Sequence, residues 1–263
     1  MGLYTDRYQQ GDCEQVWQDL SALHANIRQG DIYLDAWAVA VETMRRVRYN
    51  IAILQHRLEE LGYQFGYEWL KEERGDIDEE WIQAQPARFM PPVPDIEEKL
   101  RYFEEIAGPL PLSLRAFYQG VGEVNFFGRH PLWEKLFEQE ASQIRVPSNL
   151  DPLAVEGFHE ETIIDDFLAW KDMMQKQGLA PQRYGLVIAV DYELKYNVSG
   201  SGAYEIEIPN QDIDAPLVGE WHNTTFVNYL RICLHYGGLP GLQYISHLLP
   251  NELAYLREAL LPF

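Results

Sequence analysis

The chain has 263 residues, 46% of them hydrophobic and 13% aromatic, enough apolar material to bury a core and too much for a disordered chain. Its 41 acidic and 21 basic residues leave a formal charge of −20. Such a surface repels nucleic-acid phosphates and anionic lipid and attracts cationic partners, so binding to nucleic acid or to a membrane is set aside.

The opening residues carry neither a basic segment nor an apolar stretch, and no signal peptide is expected. No apolar run reaches membrane-spanning length, which leaves the cytoplasm as the expected location. Cys13 and Cys233 lie far apart and outside any CxxC pattern, so two free thiols in a reducing compartment are expected. The sequons at Asn197 and Asn223 then carry no meaning, because glycosylation requires a secretory route.

In chain order, the first pattern is helical. Val16, Leu20, Leu23 and Ile27 place one apolar stripe on a helix over Asp12–Arg28. Gln29-Gly30-Asp31 reads as a helix stop and a new start. A longer helix follows over Tyr33–Leu61, with Trp37, Val41, Met44, Val47, Ile51, Leu54, Leu58 and Leu61 stepping by threes and fours, and the two helices predict an antiparallel hairpin. Arg45, Arg46 and Arg48 fall on its exposed faces.

From Gly62 to Pro94 aromatics mix with an acidic cluster at Glu72, Glu73, Asp76, Asp78, Glu79 and Glu80, and Pro91-Pro92-Val93-Pro94 closes the stretch. This reads as a connector with a short helix at Asp78–Gln85. Residues up to Leu61 hold nine acids and six bases, so the negative charge belongs mainly to the C-terminal two-thirds. The expected division is a helical hairpin with its connector over 1–90 and an α+β domain over 91–263.

Within the second region an amphipathic helix is expected over Asp95–Ala107, stopped by Gly108. Another begins at Leu112 behind Pro111, whose missing N–H is not needed there. Strands are expected at Val124–Phe126 and Leu153–Glu156, and a helix over Glu160–Gln177. Tyr184–Asp191 is a continuous apolar run suited to a central strand buried on both faces. Glu193–Val198, the turn Ser199-Gly200-Ser201-Gly202, and Ala203–Ile208 read as a hairpin. Closing helices are expected over Thr225–Tyr236 and Glu252–Leu261.

Catalytic signatures do not emerge. His24, His56, His130, His159, His222, His235 and His247 include no pair at short helical spacing, so no metal is expected. The glycines after Ser199 sit between two strands and cannot aim a helix N-terminus at phosphate, so no phosphate-bearing cofactor is expected. There is no GxSxG elbow, and neither cysteine sits in a nucleophile motif. Paired carboxylates such as Asp165/Asp166 and Asp191/Glu193 occur, but 41 acids generate such pairs by chance.

Two stretches bear a resemblance. Leu110-Pro111-Leu112-Ser113-Leu114-Arg115-Ala116-Phe117-Tyr118, followed by Gly122-Glu123-Val124-Asn125-Phe126 and Gly128, is similar to the opening of the SMI1/KNR4 superfamily, also called SUKH. Asp191–Lys195, Asn197, Ser199-Gly200, Tyr204, Ile208-Pro209 and Phe226-Val227 with Tyr229-Leu230-Arg231 resemble its sheet and closing helix. The likeness covers Asp95–Leu242 and leaves the first helices outside. It implies an α+β fold, a mixed and largely antiparallel sheet covered by helices. It also implies protein binding: many bacterial members are thought to be immunity proteins that neutralise toxins, and fungal members act as interaction hubs. It supplies no catalytic residue.

The expected function is therefore a non-enzymatic protein-binding module, an immunity protein whose carboxylates face a basic toxin domain. Asp191, Glu193, Glu205, Glu207, Asp212 and Asp214, clustered beside the expected hairpin, are the candidate partner-binding residues. A rival reading is a small-molecule-binding protein or enzyme with a pocket between sheet and helical hairpin, lined by Trp133, Tyr184 or Trp221. A third is a regulatory scaffold that dimerises through the helix Tyr33–Leu61.

Overall fold

The computed structural model describes residues 2–69, 80, 88–140, 147–179, 183–196 and 202–263. The short helix expected at Asp78–Gln85, the acidic run beginning at Glu72 apart from Glu80, and the Ser199-Gly200-Ser201 turn lie outside these residues.

The longest element is α3 (Gly30–Glu60), 31 residues without an internal proline. Its apolar stripe, Ala36, Val39, Ala40, Met44, Val47, Ile51, Leu54 and Leu58, is buried to 1% exposure or less under the rest of the chain, while Val41 of the expected stripe is 45% exposed. α1 (Leu3–Gln9) and α2 (Cys13–Ser21) supply part of that cover. Tyr8 stands at the junction: Thr43 donates to its hydroxyl at 2.7 Å, and the Trp17 indole N–H donates to Thr43 at 3.1 Å. Burial pushes the Tyr8 phenol up to about 12, against the hydrogen bond from Thr43.

The expected two-helix hairpin is corrected here. The helix read over Asp12–Arg28 breaks after Ser21 and resumes as a 3₁₀ turn over His24–Arg28. His24, the first residue of that turn, sits at φ +50, a left-handed conformation that a continuous α-helix cannot pass through. The apolar spacing continues across the break because Leu23 and Ile27 still face the same core. α1 leaves no readable pattern in the sequence because a seven-residue helix has too few turns to show a period.

After the connector come α4 (Ile96–Ala107) and α5 (Leu112–Gly120), the latter packed along α3 with Leu112, Leu114, Phe117 and Tyr118 buried. Arg115 joins the two by bonding Glu104 at 2.9 Å and Glu97 at 2.6 Å. α6 (Pro131–Glu140), α7 (Glu160–Lys176), α8 (Phe226–His235) and α9 (Pro250–Arg257) complete the helical layer. One continuous cluster of buried residues runs from Tyr8 to Phe263 and draws on both sides of Pro91.

The β component consists of short antiparallel pieces. β1 (Gln64–Phe65) pairs with β4 (Gly128–Arg129). β3 (Glu123–Asn125) lies between β2 (Phe89–Met90) and β5 (Ala154–Val155), with Val124 opposite both Phe89 and Val155. β6 (Tyr184–Val190) pairs with β7 (Ala203–Ile208), from Tyr184–Ile208 to Val190–Ala203, with a register shift between Val187 and Ala189. The Glu156 N–H reaches the Ile188 carbonyl at 2.8 Å and ties the end of β5 to β6. The α+β class holds, but the described strands form three small antiparallel sheets with no parallel pair. Strands of two or three residues, separated by helices, cannot sustain a broad sheet.

Two readings of the last sheet change. The antiparallel partner of Ala203–Ile208 is Tyr184–Val190; Leu194–Tyr196 of the expected arm forms a 3₁₀ turn. The apolar run of β6 is buried on one face only: Leu186 and Ile188 are at 1% or less, whereas Val187 is 37% exposed. No described helix covers the outer face, so the strand keeps one solvated side. Among the described residues no helix is long and apolar enough to cross a membrane.

Candidate functional site

The six carboxylates expected to act together take up different roles in the fold. Asp191 accepts N–H bonds from Glu193 at 3.1 Å and Leu194 at 2.9 Å through Oδ1, and from Gly202 at 2.8 Å through Oδ2. It clamps the two ends of the β6–β7 connection, with Glu193 half-buried beside it. Asp212 lies 3.6 Å from His24 Nδ1, and its carbonyl accepts the Leu112 N–H.

Asp214 is turned inward: its carboxylate accepts from the Ser113 hydroxyl at 2.9 Å and from the Val227 N–H at the start of α8. Burial raises its pKa, opposed by these hydrogen bonds and by one from Thr225. It caps a helix and joins α5 to α8, a role that removes it from the partner-binding set.

Glu205 and Glu207 remain together on the outer face of β7, two residues apart and so pointing the same way. Arg183 pairs with Glu207 at 3.2 Å. The Glu205 carboxylate lies directly over Gly185, and a Cβ there would make the flexible Glu205 side chain swing aside. Partial burial, and after it the charge of Glu207, push Glu205 up.

At the Tyr184 end of the same hairpin is an apolar groove of about 400 Å³ between α7, the end of α4 and the strands. Phe167, Trp170 and Tyr184 form an aromatic cluster with ring centroids 5.3 to 5.8 Å apart, and Ile106, Met174 and Pro209 complete the walls. Burial raises the Tyr184 phenol, and the charges of Asp166 and Glu205 raise it further. Lys171 reaches over the Phe167 ring at 5.9 Å and makes no ion pair with a described residue. Leu168 and Met173, also on α7, are 47% and 45% exposed.

Of the aromatics expected to line a pocket, only Tyr184 does so here, and the groove borders α7 instead of the N-terminal helices. Trp133 is 1% exposed, stacked on His130 at 4.1 Å. Trp221 belongs to a buried polar cluster around Asp151. That carboxylate takes the Trp221 indole N–H at 2.8 Å, the Tyr204 hydroxyl at 3.2 Å and the Lys195 ammonium at 2.5 Å. Beside it His222 Nδ1 lies 2.5 Å from Glu220. Buried Cys233 is pushed well above the usual thiol range by burial and then by Asp151.

The sequence places Ile164, Phe167, Leu168 and Met174 on the inner face of a helix; Leu168 is instead 47% exposed, and nothing in the spacing indicates that the face, with Trp170 beside it, is left partly open. Neither Asp151 nor Lys195 carries a signal, since each is one of many isolated charges until the fold pairs them. Among the described residues no three His, Cys, Asp or Glu side chains are grouped to hold a metal ion. The chain matches no family model, no curated protein and no solved structure.

Proposed function

We propose that this protein is a binding module for a cationic protein partner, and that the groove between α7 and the β6–β7 hairpin is where the partner docks. The observation that carries the reading is the groove itself: an open aromatic trough whose Tyr184 feels the charges of Asp166 and Glu205, in a chain of charge −20. An apolar side chain inserted against Trp170 and Tyr184 would supply the hydrophobic anchor, and flanking Arg or Lys residues would meet the carboxylates. Glu205 and Glu207 repel one another on a shared face, and a cationic partner relieves that repulsion.

The reading accords with the resemblance to SMI1/KNR4 domains and with an immunity role in the cytoplasm, and assignment of the fold to that superfamily is part of the same proposal. It requires no chemical step of the protein. A small apolar ligand is the second reading, favoured by a groove volume within the usual range for such sites, about 300–1,000 Å³.

The test is calorimetric titration of the full chain with a peptide carrying one Trp or Leu between Arg residues, at about 50 and about 300 mM salt. Affinity should fall steeply with salt, weaken about tenfold or more in Trp170→Ala, and strengthen in Lys171→Glu. Binding indifferent to salt and to Trp170 would remove the basis of the proposal. Salt-independent uptake of an uncharged apolar compound, lost in Trp170→Ala, would select the second reading.

A further inference from the structure

The buried pair of Asp151 and Lys195 is independent of the groove. Nζ stands 2.5 Å from Oδ1, and the Lys195 and Asp151 side chains are 1% and 0% exposed. The other carboxylate oxygen, Oδ2, accepts the Trp221 indole N–H at 2.8 Å and the Tyr204 hydroxyl at 3.2 Å. The main chain holds both partners in place. Asp151 sits at φ +49, a conformation that few non-glycine residues adopt, and its N–H is fixed by Asn149 Oδ1 at 2.8 Å. The Asn149 side-chain amide donates in turn to the Tyr192 carbonyl at 2.7 Å, and the Lys195 N–H to the Asp191 carbonyl at 3.1 Å. The turn that carries Lys195 is thereby tied to the segment that carries Asp151.

An amine and a carboxyl group in contact, fixed from both sides and kept from water, are the reactants of an amide bond. Contact with Oδ1 leaves Nζ about one C–O bond length short of Cγ, an arrangement close to that of attack. The two donors on Oδ2 draw electron density from Cγ and are placed to hold the negative charge that develops on this oxygen as a tetrahedral centre forms. Enclosure favours the product, because a neutral amide costs far less to bury than two ions.

We propose that Lys195 and Asp151 condense in the folded protein to an isopeptide bond. A proton passes from Nζ to Oδ1, the freed lone pair attacks Cγ, and Oδ1 leaves with a second proton from the nitrogen. The ammonium gives up two of its three protons and the carboxylate one oxygen, which together make one water, so the step needs no oxidant, reductant or co-reactant. Lys195 borders a cavity of about 190 Å³, which has room to receive this water. The bond closes the chain between positions 151 and 195 into a loop that unfolding cannot open.

The experiment is intact-mass spectrometry of the purified full chain, denatured only for the measurement, before and after incubation under native conditions, with peptide mapping of the same samples. The expected result is a species lighter than the sequence mass by one water, and a branched proteolytic peptide that joins Asp151 to Lys195. Lys195→Arg keeps the charge but removes the amine, and should abolish both. Trp221→Phe takes one donor from Oδ2 and should slow the conversion about tenfold or more. A mass unchanged after prolonged native incubation would overturn the proposal. So would a lighter species without the branched peptide, which marks cyclisation of an aspartate onto its own backbone, or conversion as fast in Trp221→Phe. The branched peptide is read in the unaltered chain and decides the matter even where a variant fails to fold.

Discussion

Lys195 Nζ lies 2.5 Å from Asp151 Oδ1, and the two side chains are 1% and 0% exposed. The pair is completed by Trp221 and Tyr204, so the carboxylate has three donors in a region without solvent. It joins the turn after β6 to the segment before β5 and to β7, elements far apart in the chain. Removing one partner strands a buried charge: Lys195→Met or Asp151→Leu alone should cost about 3–5 kcal/mol. The double variant should lose clearly less than the sum, and denaturant unfolding of the four proteins as a cycle measures the coupling.

Glu42 on α3 bonds Arg45 at 2.7 Å and Arg46 at 2.8 Å, and these guanidiniums hold its carboxyl down at about 2 against partial burial. A depressed carboxylate stabilises the fold above its unfolded value, near 4.5, and that contribution disappears as pH falls towards 2. With Arg45 largely in solvent the pairing should contribute about 1 kcal/mol. Glu42→Gln should therefore lower stability at neutral pH and flatten the acid limb between about pH 4.5 and pH 2, read from melting temperature against pH.

Asp214 binds the start of α8 to Ser113 at the start of α5, and Asp214→Ala would leave the Val227 N–H and the Ser113 hydroxyl without that acceptor. A loss of about 1–3 kcal/mol is expected, in thermal or denaturant unfolding. Association with a cationic peptide should keep its affinity in this variant, because the side chain faces inward.

Glu205 behaves in the opposite sense. Its carboxyl is pushed up by burial and by Glu207, so its contribution to stability is present at acid pH and is lost as pH rises through its folded value. Glu205→Gln should raise neutral-pH stability slightly, by about 0.5 kcal/mol, and weaken salt-dependent association with a cationic peptide. A gain in stability without any loss of binding would count against Glu205 as a contact.

Local patterning carries much of the helical layer. α3, α4 and α7 are legible because their apolar residues recur at helical spacing, with Pro111 marking the start of α5; a cap at Asn223 or Thr224 announces α8, whose cap is Thr225. The strand at Tyr184 is visible as an apolar run, yet its partner is not. Pairing depends on how the chain returns, and Glu193–Val198 alternates as well as a true neighbour would. His24 breaks a helix that spacing alone extends, since a left-handed residue leaves no periodic trace.

Composition alone established the acidic character and the mass of apolar side chains, because charge and hydrophobic content are sums that folding does not alter. Which carboxylates face solvent was decided by tertiary structure. Asp214 became a helix cap, Asp191 a turn clamp and Asp151 the partner of Lys195, while Glu205 and Glu207 stayed outside. A carboxylate's role follows from which donors the fold brings within about 3 Å of it, and residues more than forty positions apart, such as Asp151 and Lys195, meet only after the core has closed.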